Sequence, residues 1–311
     1  MKWLKTIIVL ISIFVYSSRA EEDAASSDNS SKFVVLISID GLRPDALSAK
    51  NSPNIWKLIE GGSFYANAKT IPISVTYPAH ASMLTGLRAT KHKIYSNPTD
   101  RKWPYIKPFG FKFVKCKTIF HYTKKMGAKN IFIANHWYFW GFLPANPYLD
   151  KFLVENRSWD SRWTTEKTIK ALRKFQGDGD NKIFTFAYYG ALDEVGHKYG
   201  WMSEDYLETL RTIDEEVEKT ISFIEEKKYD DRTYFIVTAD HGGKGKSHFL
   251  GRKEDKTIPI IIKGPNIRSG FKPNDKARIV DITPTILYLF GADEAVFKNF
   301  DGKVLEDIFK L

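Results

Sequence analysis

The 311-residue chain contains one cysteine, Cys116, so it can form no internal disulfide and no cysteine-rich zinc module. Any metal site must therefore use His, Asp, Glu or hydroxyl ligands. Long hydrophobic runs are also scarce. One, Ile7 to Tyr16, is broken only by Ser12 and falls short of the roughly 20 apolar residues that span a bilayer. There is no internal repeat, no lipid-anchor tail or retention signal, and no Arg/Lys stripe interleaved with aromatics that would make a nucleic-acid groove. With 43% hydrophobic and 27% charged residues, the chain is neither disordered nor a polytopic membrane protein.

What is present begins with an address. Lys2 and Lys5 precede the apolar run, and Ser18-Arg19-Ala20 resembles a small-x-small cleavage site. Residues 1–20 thus read as a signal peptide leading to secretion or the secretory lumen, with no stable membrane span after cleavage. An uncleaved signal anchor, which would hold the chain at a membrane, is the alternative. Cleavage lowers the formal charge of +10 by three and leaves a basic surface suited to anionic substrates such as phosphate esters. Asn29-Ser30-Ser31 and Asn156-Arg157-Ser158 are glycosylation tripeptides in such a compartment. Residues 21–31, EEDAASSDNSS, form a polar linker, and 32–311 read as a single catalytic domain.

Continuous apolar runs of strand length occur at FVVLISID (ending at Asp40), Lys182–Tyr189 and Thr233–Thr238. A shorter run spans Ile258–Ile262, and a weaker one Asn130–Ala134. Between them Leu207, Leu210, Ile213, Val217, Ile221 and Ile224 mark one helix face. Ser52-Pro53-Asn54 starts a short helix that Gly61 stops, and another apolar segment runs from Pro284 to Gly291. Alternating strands and helices predict an α/β fold with a mostly parallel central sheet and helices on both faces. Residues 93–163 break that rhythm and are rich in aromatics: Trp103, Phe109, Phe111, Trp137, Tyr138, Phe139, Trp140, Trp159 and Trp163. They are expected either to pack over the sheet or to form a lid or pocket wall.

Ligands of parallel α/β sheets bind beyond the carboxyl ends of the strands. Asp40, Asp193 and Asp240 all fall at or just after such ends. A lone acid there usually caps a helix, but three with nearby histidines suggest a metal site. Asp193 and His197, four apart, can reach one ion from one helical turn. The adjacent Asp240 and His241 should diverge, serving two neighbouring sites or two edges of one. His248 follows in a Gly/Lys/Ser-rich loop expected to be flexible. Mixed carboxylate and imidazole ligands suit zinc, or manganese or iron, better than calcium or magnesium. TIPISVTYPAHASMLTG supplies the candidate nucleophiles Ser74, Thr76, Ser82 and Thr85, and composition selects none of them. Cys116 lies in no nucleophile pattern.

Four segments in order, ISIDGLRPDAL, TYPAHASMLTG, LDEVGHKYG and TADHGG, make the chain similar to the nucleotide pyrophosphatase/phosphodiesterase family of the alkaline phosphatase superfamily. The resemblance runs from about Phe33 to the end. It implies an alkaline-phosphatase-like sandwich with two divalent ions, zinc, and a small phosphate diester substrate bearing a nucleotide or lipid head group. Asp40, Thr76, Asp240 and His241 would hold one ion; Asp193, His197 and His248 would hold the other. Thr76 would be the nucleophile of a phosphothreonine mechanism, and Asn97 would contact the phosphate. Tyr77, Ala79 and Lys93 depart from the family pattern, and Phe249 stands where its vertebrate-type members usually have glycine. A monoesterase, which would use a cationic clamp such as Arg43 or Arg88, and a lysophospholipid or choline phosphodiesterase are alternatives. A sulfatase is disfavoured, because Thr76-Tyr77-Pro78-Ala79-His80 lacks the convertible Cys or Ser and the Arg. A non-catalytic ligand-binding protein of the same fold is the reading from another class.

Overall fold

The computed structural model describes residues 32–98, 112–175 and 182–310. The expected signal, the linker, the Asn29 tripeptide and Trp103, Phe109 and Phe111 lie outside those residues.

Seven strands form one sheet: β1 (Phe33–Ile39), β2 (Ser63–Lys69), β3 (Lys129–Ala134), β4 (Lys151–Val154), β5 (Ile183–Tyr189), β6 (Thr233–Thr238) and β7 (Thr257–Lys263). Their spatial order is β2-β7-β6-β1-β5-β3-β4. β1 pairs in parallel with β5 and β6, and β3 with β4 and β5, while β7 runs antiparallel to both β6 and β2. Every residue of β1, β5 and β6 is buried, which is why these three strands read as unbroken apolar runs.

β2 and β4 have no such signature. β2 is SFYANAK, with a register shift between Tyr65 and Ala68 and two exposed residues. β4 is four residues at the sheet edge. The segment expected to break the rhythm therefore contributes two strands. Its described aromatics mostly pack: Phe139 and Trp163 are buried, and Phe139 lies 4.4 Å from Tyr188 on β5, ring centre to ring centre. Trp159 is the exception, at 71% exposure.

Helices cover both faces. On one, α1 (Pro53–Glu60) and α3 (Ser161–Phe175) pack with the long α5 (Glu204–Glu226); on the other, α2 (Thr76–Thr85) packs with α6 (Ile282–Leu289). The Ser203 hydroxyl accepts from the Tyr206 N–H and caps α5, whose Leu210, Ile213, Val217, Ile221 and Ile224 form the buried stripe. Asp214 on that helix accepts from the free N–H groups of Asn54 and Ile55, so one helix caps the start of another. At the site, α4 (Ala191–Tyr199) follows β5 after a single residue, Gly190.

Candidate active site

β1 lies between β5 and β6, so the acids that follow these strands converge. Asp40 directly follows β1, Asp240 follows β6 after Ala239, and Asp193 sits in the first turn of α4. The six residues fall into two groups, Asp40/Asp240/His241 and Asp193/His197/His248, each offering atoms within 4.8 Å of one another. His241 Nε2 stands 3.2 Å from Asp40 Oδ1 and 3.3 Å from Asp240 Oδ2. In the second group His197 Nε2 lies 3.6 Å from Asp193 Oδ2 and 3.1 Å from His248 Nε2. The groups adjoin: Asp193 Oδ1 is 3.9 Å from His241 Nε2 and 3.8 Å from His248 Nε2. Asp240 and His241 therefore do not diverge toward separate sites. The Asp240 carboxylate turns back to accept from the His241 N–H, and both side chains face the first group.

All three histidines are oriented in the same way. Nδ1 of His241, His197 and His248 meets the carbonyl oxygen of Gly242, Lys246 and Ser74, at 2.9, 3.0 and 2.6 Å. A carbonyl can only accept, so each Nδ1 carries the proton and each Nε2 presents a lone pair to the cluster. The loop bearing His248 is correspondingly pinned, contrary to the flexibility its Gly, Lys and Ser content predicts. Ser74 Oγ donates to the His248 carbonyl at 2.6 Å while the His248 ring returns the bond to the Ser74 carbonyl. Arg252 Nη2 also donates to the Ser247 carbonyl.

The electrostatics expose what the cluster lacks. Asp40 Oδ1, Asp193 Oδ1, Asp240 Oδ2 and His241 Nε2 are buried atoms without a hydrogen-bond partner. Such atoms are costly unless something satisfies them. Burial, reinforced by the neighbouring carboxylates, raises Asp40 and Asp193 well above the usual carboxylate range and pushes Asp240 up to about 8. Burial also lowers His197 and His241, and takes His248 down to about 2. Three crowded carboxylates and three neutral imidazoles with inward lone pairs fit divalent cations.

The four candidate hydroxyls separate here. Ser74 is committed to His248, Ser82 Oγ pairs with His92 Nε2 at 2.8 Å, and Thr85 Oγ1 donates to the Ala81 carbonyl. Thr76 opens α2, and among the described residues its hydroxyl has no hydrogen-bond partner. Its chain is tied to both groups. Two residues before it Ser74 holds His248, and four residues after it His80 places Nδ1 2.8 Å from the Thr76 carbonyl and 3.7 Å from Asp240 Oδ2. Asn97 Oδ1 accepts from the Tyr77 N–H at 2.8 Å, which brings Asn97 to the same helix start. Arg43 spends its guanidinium on Asp45 and the Gly243 carbonyl. Arg88 lines a separate cavity of about 450 Å³ with Ile71, Pro72 and Val280, which contains none of the six ionisable residues.

Sequence reading missed the supporting residues. The Tyr188 hydroxyl donates to Asp40 Oδ2, yet in KIFTFAYY this tyrosine reads only as a strand aromatic. Trp201 donates from Nε1 to the Gly41 carbonyl at 2.9 Å. A Cβ at Gly196 or Gly243 would fall 2.8 or 2.3 Å from that indole ring, so both motif glycines make room for it. Those two glycines were the available signal.

A model of the family described as type I phosphodiesterase / nucleotide pyrophosphatase matches residues 34–256. GPI ethanolamine phosphate transferase 1 of Aspergillus fumigatus is 23% identical over 266 residues, covering 75% of this chain and 25% of that protein. Bis(5′-adenosyl)-triphosphatase enpp4 of Mus musculus is 25% identical over 242 residues, covering 70% of this chain and 48% of the relative. The chain thus spans about a quarter to a half of the length of these two relatives. Among solved structures, murine ectonucleotide pyrophosphatase/phosphodiesterase 5, an inactive form in complex with AMP, matches with a TM-score of 0.72 at 15% identity. That match covers 90% of this chain and 100% of the other. The putative sulfatase yidJ from Bacteroides fragilis matches with a TM-score of 0.68 at 15% identity, covering 91% of this chain and 81% of the other. These structures share the alkaline-phosphatase-like fold.

Proposed function

The chain belongs to the type I phosphodiesterase / nucleotide pyrophosphatase family, and on that footing we propose that it is a two-zinc hydrolase of phosphodiester or pyrophosphate bonds acting through phosphothreonine. The observation that carries the proposal is the pair of adjoining ligand groups, four of whose inward atoms are buried without a partner, beside a helix start whose Thr76 hydroxyl makes no hydrogen bond among the described residues. Asp40, Asp240 and His241, with Thr76 Oγ1, would hold one cation; Asp193, His197 and His248 would hold the other. Bound there, the two cations would supply Lewis acidity, favouring the alkoxide of a hydroxyl and carrying charge on the departing oxygen.

The chain's own residues do the remainder. Thr76 Oγ1 loses its proton to solvent water and forms a bond to phosphorus as the bond to the leaving oxygen breaks, inverting the centre, and the departing oxygen takes a proton from solvent. Water then cleaves the phosphothreonine with a second inversion. Thr76 opens α2, so a phosphate bonded to it would lie at the positive end of the helix dipole. Because the Tyr77 N–H can only donate, Asn97 must turn Oδ1 toward it, which leaves the amide nitrogen to donate to a phosphate oxygen. The commitment of Arg43 to Asp45 and Gly243 favours a diester over a monoester dianion, which gains more from a cationic clamp. The AMP-bound neighbour and the enpp4 relative favour a nucleotide as the retained group. Residues 1–20 are proposed to direct the chain into the secretory lumen, and among the described residues no helix is long and apolar enough to cross a membrane.

The test is zinc-supplemented hydrolysis of p-nitrophenyl thymidine monophosphate against p-nitrophenyl phosphate by wild type and Thr76→Ala. The diester should be preferred, and the variant should keep its fold and zinc while losing turnover. Variant activity within tenfold of wild type would remove Thr76 from its assigned role. A monoester preference would replace the diester reading.

A further inference from the structure

Phe249 and Leu250 are large apolar residues exposed at 61% and 70%, adjacent in sequence and immediately following His248. Scattered apolar residues on a surface are unremarkable, but the first of this pair packs on the ligand cluster. The Phe249 ring lies edge-on to His248 at 4.8 Å and near-parallel to His197 at 6.1 Å, with 26° between planes. These are the two histidines whose Nε2 atoms meet 3.1 Å apart in the second group.

The backbone beneath the pair is fixed. His248 and Ser74 exchange two hydrogen bonds, Arg252 holds the Ser247 carbonyl, and the Lys244 N–H donates to the same carbonyl at 3.0 Å. Apolar surface is thus held open to solvent by an ordered loop, where exposure forfeits the stabilisation that burial of a Phe and a Leu would give.

We propose that Phe249 and Leu250 form an apolar shelf that selects the leaving group, favouring alcohols with an aromatic or long-alkyl body over small polar ones. The inference rests on the functional reading above, in which the oxygen that departs is opposite Thr76 and so on the side of Asp193, His197 and His248. A leaving group emerging there would meet the Phe249 ring, which packs on both of those histidines, with the exposed Leu250 next in the chain. Covering roughly half of a Phe side chain is worth about tenfold in selectivity.

The experiment compares kcat/KM for naphthyl, decyl and methyl diesters of thymidine 5′-phosphate in zinc-loaded wild type, Phe249→Ala and Phe249→Leu. Calorimetric affinities for the non-hydrolysable naphthyl and methyl phosphonates supply a readout independent of turnover. Dividing each ratio in the variant by that in wild type cancels the intrinsic leaving-group reactivity. The naphthyl-to-methyl ratio should fall about tenfold in Phe249→Ala, with methyl ester turnover within twofold and a parallel loss in phosphonate affinity. Phe249→Leu should restore the decyl preference more fully than the naphthyl preference. Unchanged ratios, or an equal fall for all three esters, would overturn the shelf while leaving the hydrolase reading intact. Phe249-dependent phosphonate binding by a wild type that cleaves no diester would do the reverse.

Discussion

Chelating the cations should leave a protein that loses stability as the pH rises from 6.5 to 8. The reason is Asp240, fully buried and pushed up to about 8, against about 3.9 in an unfolded chain. A carboxyl whose folded pKa is raised stabilises the fold only while it is protonated, so its contribution is present below the unfolded pKa and is lost up to the folded value. Between pH 6.5 and 8 the unfolded state has already released this proton and the folded state still binds it. Integrating that difference gives a loss of about 1.5 kcal/mol from Asp240 alone. Asp40 and Asp193, also raised, act in the same direction. The buried histidines act oppositely: His80 at about 3, His92 at about 4 and His248 at about 2 withhold protons that the unfolded chain binds near 6.5. Their contribution is therefore lost as the pH falls through that value. Comparing chelated wild type with chelated Asp240→Asn removes the histidine contributions, which both share. Urea unfolding at closely spaced pH values should show the wild type falling relative to the variant by at least that amount. The zinc-loaded wild type should show no such fall, because bound cations keep the carboxylates ionised throughout. Parallel profiles for the two chelated proteins would refute the reasoning, since Asp240 would then carry no excess proton in the folded state.

Two further substitutions test the supports of the cluster. Tyr188→Phe removes the hydroxyl that donates to Asp40 Oδ2 and should weaken cation affinity about 10- to 100-fold with the fold retained, measured by competition with a chromophoric chelator; unchanged affinity would reduce Tyr188 to packing. Gly243→Ala sets a Cβ 2.3 Å from the Trp201 ring and should cost about 1–3 kcal/mol in urea unfolding, because the indole is held by the Gly41 carbonyl and has no free path away.

The sequence disclosed the parts of the fold and site that follow from buried strands. β1, β5 and β6 are apolar throughout because both faces are covered, and an acid that interrupts such a run at its carboxyl end stands out. Asp40 and Asp240 are visible for that reason, whereas Asp193, four residues past its strand, is visible through its helical spacing to His197, which puts both on one face. β2 escaped because its pairing with β7 is irregular and partly exposed, and β4 because four edge residues carry too little pattern. The loop of His248 was misjudged because its order comes from Ser74, 174 residues away in sequence. Composition also could not choose among four hydroxyls. That choice emerges from what binds the other three, which is tertiary information.

The same architecture explains why this site sets stability against function. Neighbouring strands lie about 4.8 Å apart, so acids at or just beyond the ends of three adjacent strands are brought closer than unscreened carboxylates tolerate. The fold offsets the cost with three wholly buried strands and with capped helices on both faces, not with bonds inside the cluster, where four buried atoms have no partner. Hydrogen bonding within the cluster would have been the cheaper arrangement for folding alone. Instead each histidine is anchored from behind, through Nδ1, by a carbonyl from a different place: Gly242 beside its own ring, Lys246 in the following loop, and Ser74 just ahead of α2. Cations seated in the cluster would therefore join the loop of residues 242–248 to the segment that delivers Thr76. On the proposed mechanism, loss of either ligand group should loosen Thr76 as well as the cation, so that metal binding and the placement of that residue would be a single cooperative event.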